Sequence, residues 1–97
     1  MRDDLGETYP LAYGAVREKA PRASGVYTVF TPRRWVYVGE TDDIRRSLFR
    51  HLNDAAAPME RFGPLSFSFQ TVPPTDRVAR QASLVADLRP ACQGQGG

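Results

Sequence analysis

RWVYVGETDDIRRSLFRHL, residues 34–52, changes character once, at its glycine. Trp35, Val36, Tyr37 and Val38 form a β-branched and aromatic run suited to a pleated strand. Gly39 stops the run, and the polar turn Glu40-Thr41-Asp42-Asp43 opens a helix, with Thr41 or Asp42 as its N-cap and acids in its first turn. Ile44, Leu48 and Leu52 then recur at four-residue spacing as a buried stripe. Arg45, Arg46, Arg50 and Asn53 fall on the other side, while Ser47 and His51 border the stripe on one edge. The position best placed to face a cleft, between Arg46 and Leu48, is therefore an uncharged serine.

Upstream, residues 24–30 (SGVYTVF) have strand composition, and Thr31-Pro32-Arg33-Arg34 is a hairpin-length connection, so the two strands pair antiparallel. Residues 9–20 form a short helix before Pro21, and residues 1–8 are frayed. Downstream, a loop with Pro58, Gly63 and Pro64 leads to residues 65–72 (LSFSFQTV), whose alternation marks a half-buried third strand. After Pro73-Pro74, Thr75 or Asp76 caps a last helix with apolar Val78, Leu84, Val85 and Leu88, stopped by Pro90. Residues 94–97 are a loose tail. This order predicts an α/β (α+β) fold, a three-stranded antiparallel sheet flanked by helices, as a single domain over residues 1–97.

Ninety-seven residues are near the small end of what folds without metals or disulfides, and 41% apolar with 25% charged residues is ordinary globular composition. The lone Cys92 forms no internal disulfide and suits a reducing cytoplasm. No signal-peptide pattern or long apolar run points to a membrane. The formal charge is only +2, but all basic residues except Lys19 are arginine, whose fork holds phosphate through two hydrogen bonds. GC-rich coding produces the same bias without any function.

Gly25-Val26-Tyr27, then Tyr37-Val38-Gly39 running into a helix, Asp43-Ile44, Arg50-His51 and finally Leu88-Arg89-Pro90 together resemble the GIY-YIG nuclease family over residues 24–93. The resemblance implies a small α/β domain whose active members, among them restriction and homing endonucleases and the 3′ incision domain of excision repair, cut DNA with a divalent metal. Such chemistry needs an in-line nucleophile, a carboxylate-held metal on the leaving oxygen, and a guanidinium for charge that develops in the transition state. The resemblance assigns retained catalytic positions to Tyr27, Tyr37 and His51 and structural positions to Gly25 and Gly39. The catalytic arginine belongs eight residues after Gly39, which is Ser47, and the metal-binding glutamate nine before Pro90, which is Gln81. Gln93 stands where the family often has asparagine. Each match also has a plain reading: Tyr27 and Tyr37 as a cross-strand aromatic pair, Gly39 as a requirement of the strand-to-helix turn, His51 on a helix surface, Asp42 and Asp43 as capping residues.

Ser47 lacks charge and reach, and a neutral amide is a poor ligand for a hard cation. Losing one charge partner of a transition state costs about 10²–10³ in rate, and losing the metal ligand as well leaves little. The expectation is a catalytically impaired nuclease-like domain with no metal ligand or cofactor, binding DNA or another polyanion through Arg33, Arg34, Arg45, Arg46 and Arg50. One alternative is an active endonuclease using Mg²⁺ or Mn²⁺, with Arg50 and Glu40 standing in. Another is a protein-interaction module whose arginine face meets an acidic partner. No small-molecule cofactor is expected in any of them.

Overall fold

The computed structural model describes residues 6–53 and 63–92. Of the end expected to be frayed (1–8), residues 1–5 lie outside the described residues, as do Pro58, Gln93 and residues 94–97, expected to be a loose tail. The elements are β1 (Tyr9–Pro10), α1 (Tyr13–Lys19), β2 (Gly25–Phe30), β3 (Trp35–Thr41), α2 (Ile44–Asn53), β4 (Ser66–Thr71) and α3 (Arg77–Leu88). The sheet is antiparallel with strand order β1-β4-β2-β3.

The sheet has four strands where the sequence predicts three. Residues 9–10, expected to begin a helix, pair with Phe67 and Ser66, and α1 starts only at Tyr13. Pro10 has no N–H to donate, which a short edge strand tolerates. Tyr9 closes the contact by packing on Phe67 and Phe69, with ring centroids 5.5 and 6.3 Å apart.

β2 is buried along its whole length because it is central and covered on both faces. On one face, Val16 of α1, Ala20 just after it, and Ile44 and Leu48 of α2 pack with Tyr27, Val29 and Phe67. On the other, Leu84 of α3 packs with Val26 and Val38, flanked by Trp35, Val85 and Leu88. The alternation of Tyr27 and Val29 with Val26 thus sorts two cores onto one strand. Thr28 and Ser68, both fully buried, satisfy each other by a cross-strand hydroxyl pair.

β3 continues through Thr41, two residues past Gly39, so the turn into α2 is tighter than expected. The cap is Asp43 and not Thr41 or Asp42: its Oδ1 accepts the Arg46 N–H at 3.0 Å. The Ile44 and Arg45 N–H groups donate to the carbonyls of Ala23 and Pro21, each at 3.1 Å. The open amides of the first turn are thereby taken by the protein itself. Asp76 precedes α3 as expected but makes no capping hydrogen bond. At the other end Arg89 takes the left-handed conformation and ends the helix before Pro90.

Gly39 is not a turn residue. It faces Tyr27 across the β2–β3 ladder, and a Cβ built there would collide with the Cζ, Cε1 and hydroxyl of that ring. Gly25 is equally tight, its Cβ falling 2.8 Å from Ile44 Cδ1 and 3.0 Å from Thr71 Cα. Gly39→Ala is expected to destabilise the domain by about 2 kcal/mol, lowering Tm by about 8–16 °C for a domain of this size. Gly14→Ala, in helix α1 with nothing within 4 Å of its would-be Cβ, is the control and should be neutral or mildly stabilising in the same thermal denaturation.

Candidate nucleic-acid cleft

Three aromatic rings meet at the mouth of the first core. Tyr27 comes from β2, Tyr37 from β3 and His51 from the last turns of α2. The Tyr27 and Tyr37 centroids are 6.0 Å apart, with His51 edge-on at 5.6 Å from Tyr27 and 5.1 Å from Tyr37. The Tyr27 hydroxyl and His51 Nε2 share a hydrogen bond of 2.8 Å. His51 is half-buried and ties a helix to a strand, so it is no incidental surface residue.

These tyrosines line a cavity of about 640 Å³, and Ser47 and Gln81 line it with them. The two positions counted in sequence thus converge with both tyrosines, from α2 and α3 respectively. Each polar head is already engaged. Ser47, buried, donates from Oγ to Thr41 Oγ1 at 2.7 Å, and that oxygen also accepts the Asp43 N–H at 3.1 Å. Ser47 therefore helps hold the strand-to-helix corner. Gln81 donates from Nε2 to the Val38 carbonyl at 3.2 Å.

The charges of the cleft come from three guanidinium groups and two carboxylates. Arg46 pairs with Asp42 at 3.0 Å in largely exposed positions, a contact worth little. Arg50 also lines the cavity. The third is Arg77, absent from the sequence-based candidates. Its Nε donates to Glu40 Oε1 at 2.7 Å and its Nη1 to Ser24 Oγ at 3.3 Å, both partly buried. The signal for it was present: Arg77 lies four residues before Gln81 on α3, hence on the same helical face. Arg33 and Arg34 are not brought here. They sit at the β2–β3 hairpin beside Phe30 and Trp35. Arg45 faces a separate groove and donates from Nε to the Ala20 carbonyl at 2.8 Å.

Burial, and secondarily the neighbouring Tyr37, raises the Tyr27 pKa far above its ordinary value, with Arg50 opposing. Tyr37 is raised too, mainly by burial. Both are neutral phenols at physiological pH, able to donate or accept a hydrogen bond. The donor set is poor in free carboxylates. Position 81 offers an amide, Glu40 is committed to Arg77, and the described residues contain no cluster of three or more His, Cys, Asp or Glu that could hold a metal.

Among solved structures, the chain is similar to the N-terminal endonuclease domain of UvrC from Thermotoga maritima bound to magnesium, its catalytic divalent cation. The TM-score is 0.64 at 24% identity, over 78% of this chain and 92% of that one. The fold is the GIY-YIG fold. Two point mutants of the same domain, one at a tyrosine and one at an asparagine and each bound to the cation, match with TM-scores of 0.64 and 0.62, both at 24% identity and over 78% of this chain and 91% of that one. No family model matches the sequence, and no curated protein matches it. Among the described residues no helix is long and apolar enough to cross a membrane.

The raised Tyr27 pKa has a consequence at high pH. Below its ordinary value of 10.0 the group is protonated in both folded and unfolded chains and adds no pH dependence. Above it, the unfolded chain loses the proton that the folded one keeps, so stability falls as pH rises, by up to about 1.4 kcal/mol per pH unit. Denaturant unfolding of Tyr27→Phe between about pH 9 and pH 11 should show a shallower decline than wild type.

Proposed function

We propose that the domain binds the phosphate backbone of a nucleic acid in the Tyr27–Tyr37 cleft and does not cleave it. The observation that carries this reading is the state of positions 47 and 81. Both face the cleft, and both have neutral heads hydrogen-bonded to the protein, while Arg46, Arg50 and Arg77 line the same cavity. Phosphate attraction is retained where a charged transition state and its metal have lost their partners. The first-turn amides of α2 are occupied by Ala23 and Pro21, so the grip comes from side chains and depends on charge. Cytoplasmic nucleic acid is the matching partner.

The binding test is fluorescence anisotropy with labelled duplex at about 50 mM salt, where backbone contacts are strong. Affinity should fall steeply with added salt, and Arg50→Ala and Arg77→Ala should each reduce the slope of log K against log salt by about 0.9. No affinity for DNA or RNA at that salt would end the reading.

The second reading, a metal-dependent endonuclease, is favoured by one observation: the Arg77–Glu40 pair brings a guanidinium and a carboxylate into the cleft that the family pattern does not place there. Incubation with Mg²⁺ or Mn²⁺ and duplex, nicked and branched DNA decides it. Cutting that disappears in both Tyr27→Phe and Glu40→Gln establishes the enzyme.

Restoration provides a further check. Ser47→Arg and Gln81→Glu return both missing charges to the cleft, and because such groups act as a unit, each single change should give almost no cutting and the pair a detectable Mg²⁺-dependent activity. Ser47→Arg also breaks the buried contact with Thr41, and Gln81→Glu removes the donor to the Val38 carbonyl, so each should lower stability by about 1–3 kcal/mol.

A further inference from the structure

Helix α2 faces two depressions. At about 100° per residue, its outer arc runs from Arg45 and Phe49 through Arg46 and Arg50 to Ser47. Ser47, Arg46 and Arg50 look onto the cleft already described. On the other flank, Arg45, Arg46 and Phe49 line a groove of about 300 Å³ with Arg22 and Asp43. Arg46 lines both, so the groove and the cleft adjoin at that side chain.

An aromatic platform borders this groove. Tyr13 of α1 lies against Phe49 with ring centroids 5.9 Å apart and planes 24° from parallel. Its hydroxyl donates to Asn53 Oδ1, which fixes the ring while 50% of the residue remains exposed. Three guanidinium groups face one carboxylate here, and that carboxylate, Asp43, is occupied as the helix cap.

We propose that Tyr13 and Phe49, with Arg22 and Arg45, form a second subsite that takes an unpaired nucleotide, its base stacked on Tyr13 and its backbone crossing Arg46 into the cleft. The proposal rests on the cleft binding nucleic acid and names the class it takes: a duplex with a single-stranded extension. A base inside a duplex has both faces covered by its neighbours, so away from a duplex end only an unpaired base can lie on an aromatic ring. Every base has such a face, so the subsite tolerates any sequence. Arginine on the flanks supplies the backbone contacts that stacking lacks. The helix is about 10–12 Å across, so a strand leaving the cleft crosses it within a few nucleotides.

The test compares a blunt duplex with the same duplex carrying a 3′ or 5′ extension of about 8 nucleotides, a length within the range of single-strand sites. Wild type should bind one tailed duplex about tenfold more tightly than the blunt one, in line with one stacked base. Tyr13→Ala should erase that difference and leave blunt-duplex affinity unchanged, Tyr13→Trp should keep it, and Arg22→Ala should reduce it. Tyr13 is half exposed, and unchanged thermal denaturation of Tyr13→Ala confirms that the fold is intact. Equal affinity of wild type for blunt and tailed duplexes overturns this subsite and leaves the cleft reading standing, as does a loss in Tyr13→Ala that is the same for both. Binding to no nucleic acid at all overturns the two together.

Discussion

The ring of Tyr27 lying on Gly39 is the contact on which the cleft depends. Only a residue without a Cβ lets β3 pass directly beneath that ring. The ring is thereby held at a fixed height over the sheet, with its hydroxyl within 2.8 Å of His51. Through His51 the same ring holds α2, and through its neighbour Tyr37 it forms one wall of the cavity. One missing methyl group therefore couples a strand pairing, a helix position and the polarity of a surface.

At positions 47 and 81 the cleft is lined by neutral side chains whose polar heads the protein itself engages. Serine and glutamine there do not leave unpaired polar groups in a partly buried wall, which would be costly. Each makes a hydrogen bond that the backbone or a neighbouring hydroxyl can use: Thr41 for Ser47, the Val38 carbonyl for Gln81. Arg77 illustrates the converse. Its guanidinium is positioned by Glu40 and Ser24, one residue on a strand and one in the segment before another, and so reaches the cleft from a helix start.

The two triplets were legible because they encode strand spacing, close packing and a helix entry at once, and counting from Gly39 and Pro90 led to Ser47 and Gln81 in one cavity. What escaped had physical causes. β1 is only two residues long, one of them proline, too short for any periodicity to register. Arg33 and Arg34 are neighbours of the tyrosines in sequence, but an antiparallel hairpin carries its turn to the opposite end of the sheet. Arg77 depends on where α3 begins and how it is rotated, and helix boundaries are poorly specified by local sequence. The true role of Gly39 required knowing that Tyr27 stands opposite it, which is a matter of register.

Helix α2 is secured at both ends by parts of the chain that precede it. Its first turn hangs from the carbonyls of Pro21 and Ala23, and its last turns are tied through His51 to β2. Ser47 and Arg50, carried on this helix, therefore keep their places in the cavity wall only as long as the segment at 21–23 and the ring of Tyr27 keep theirs.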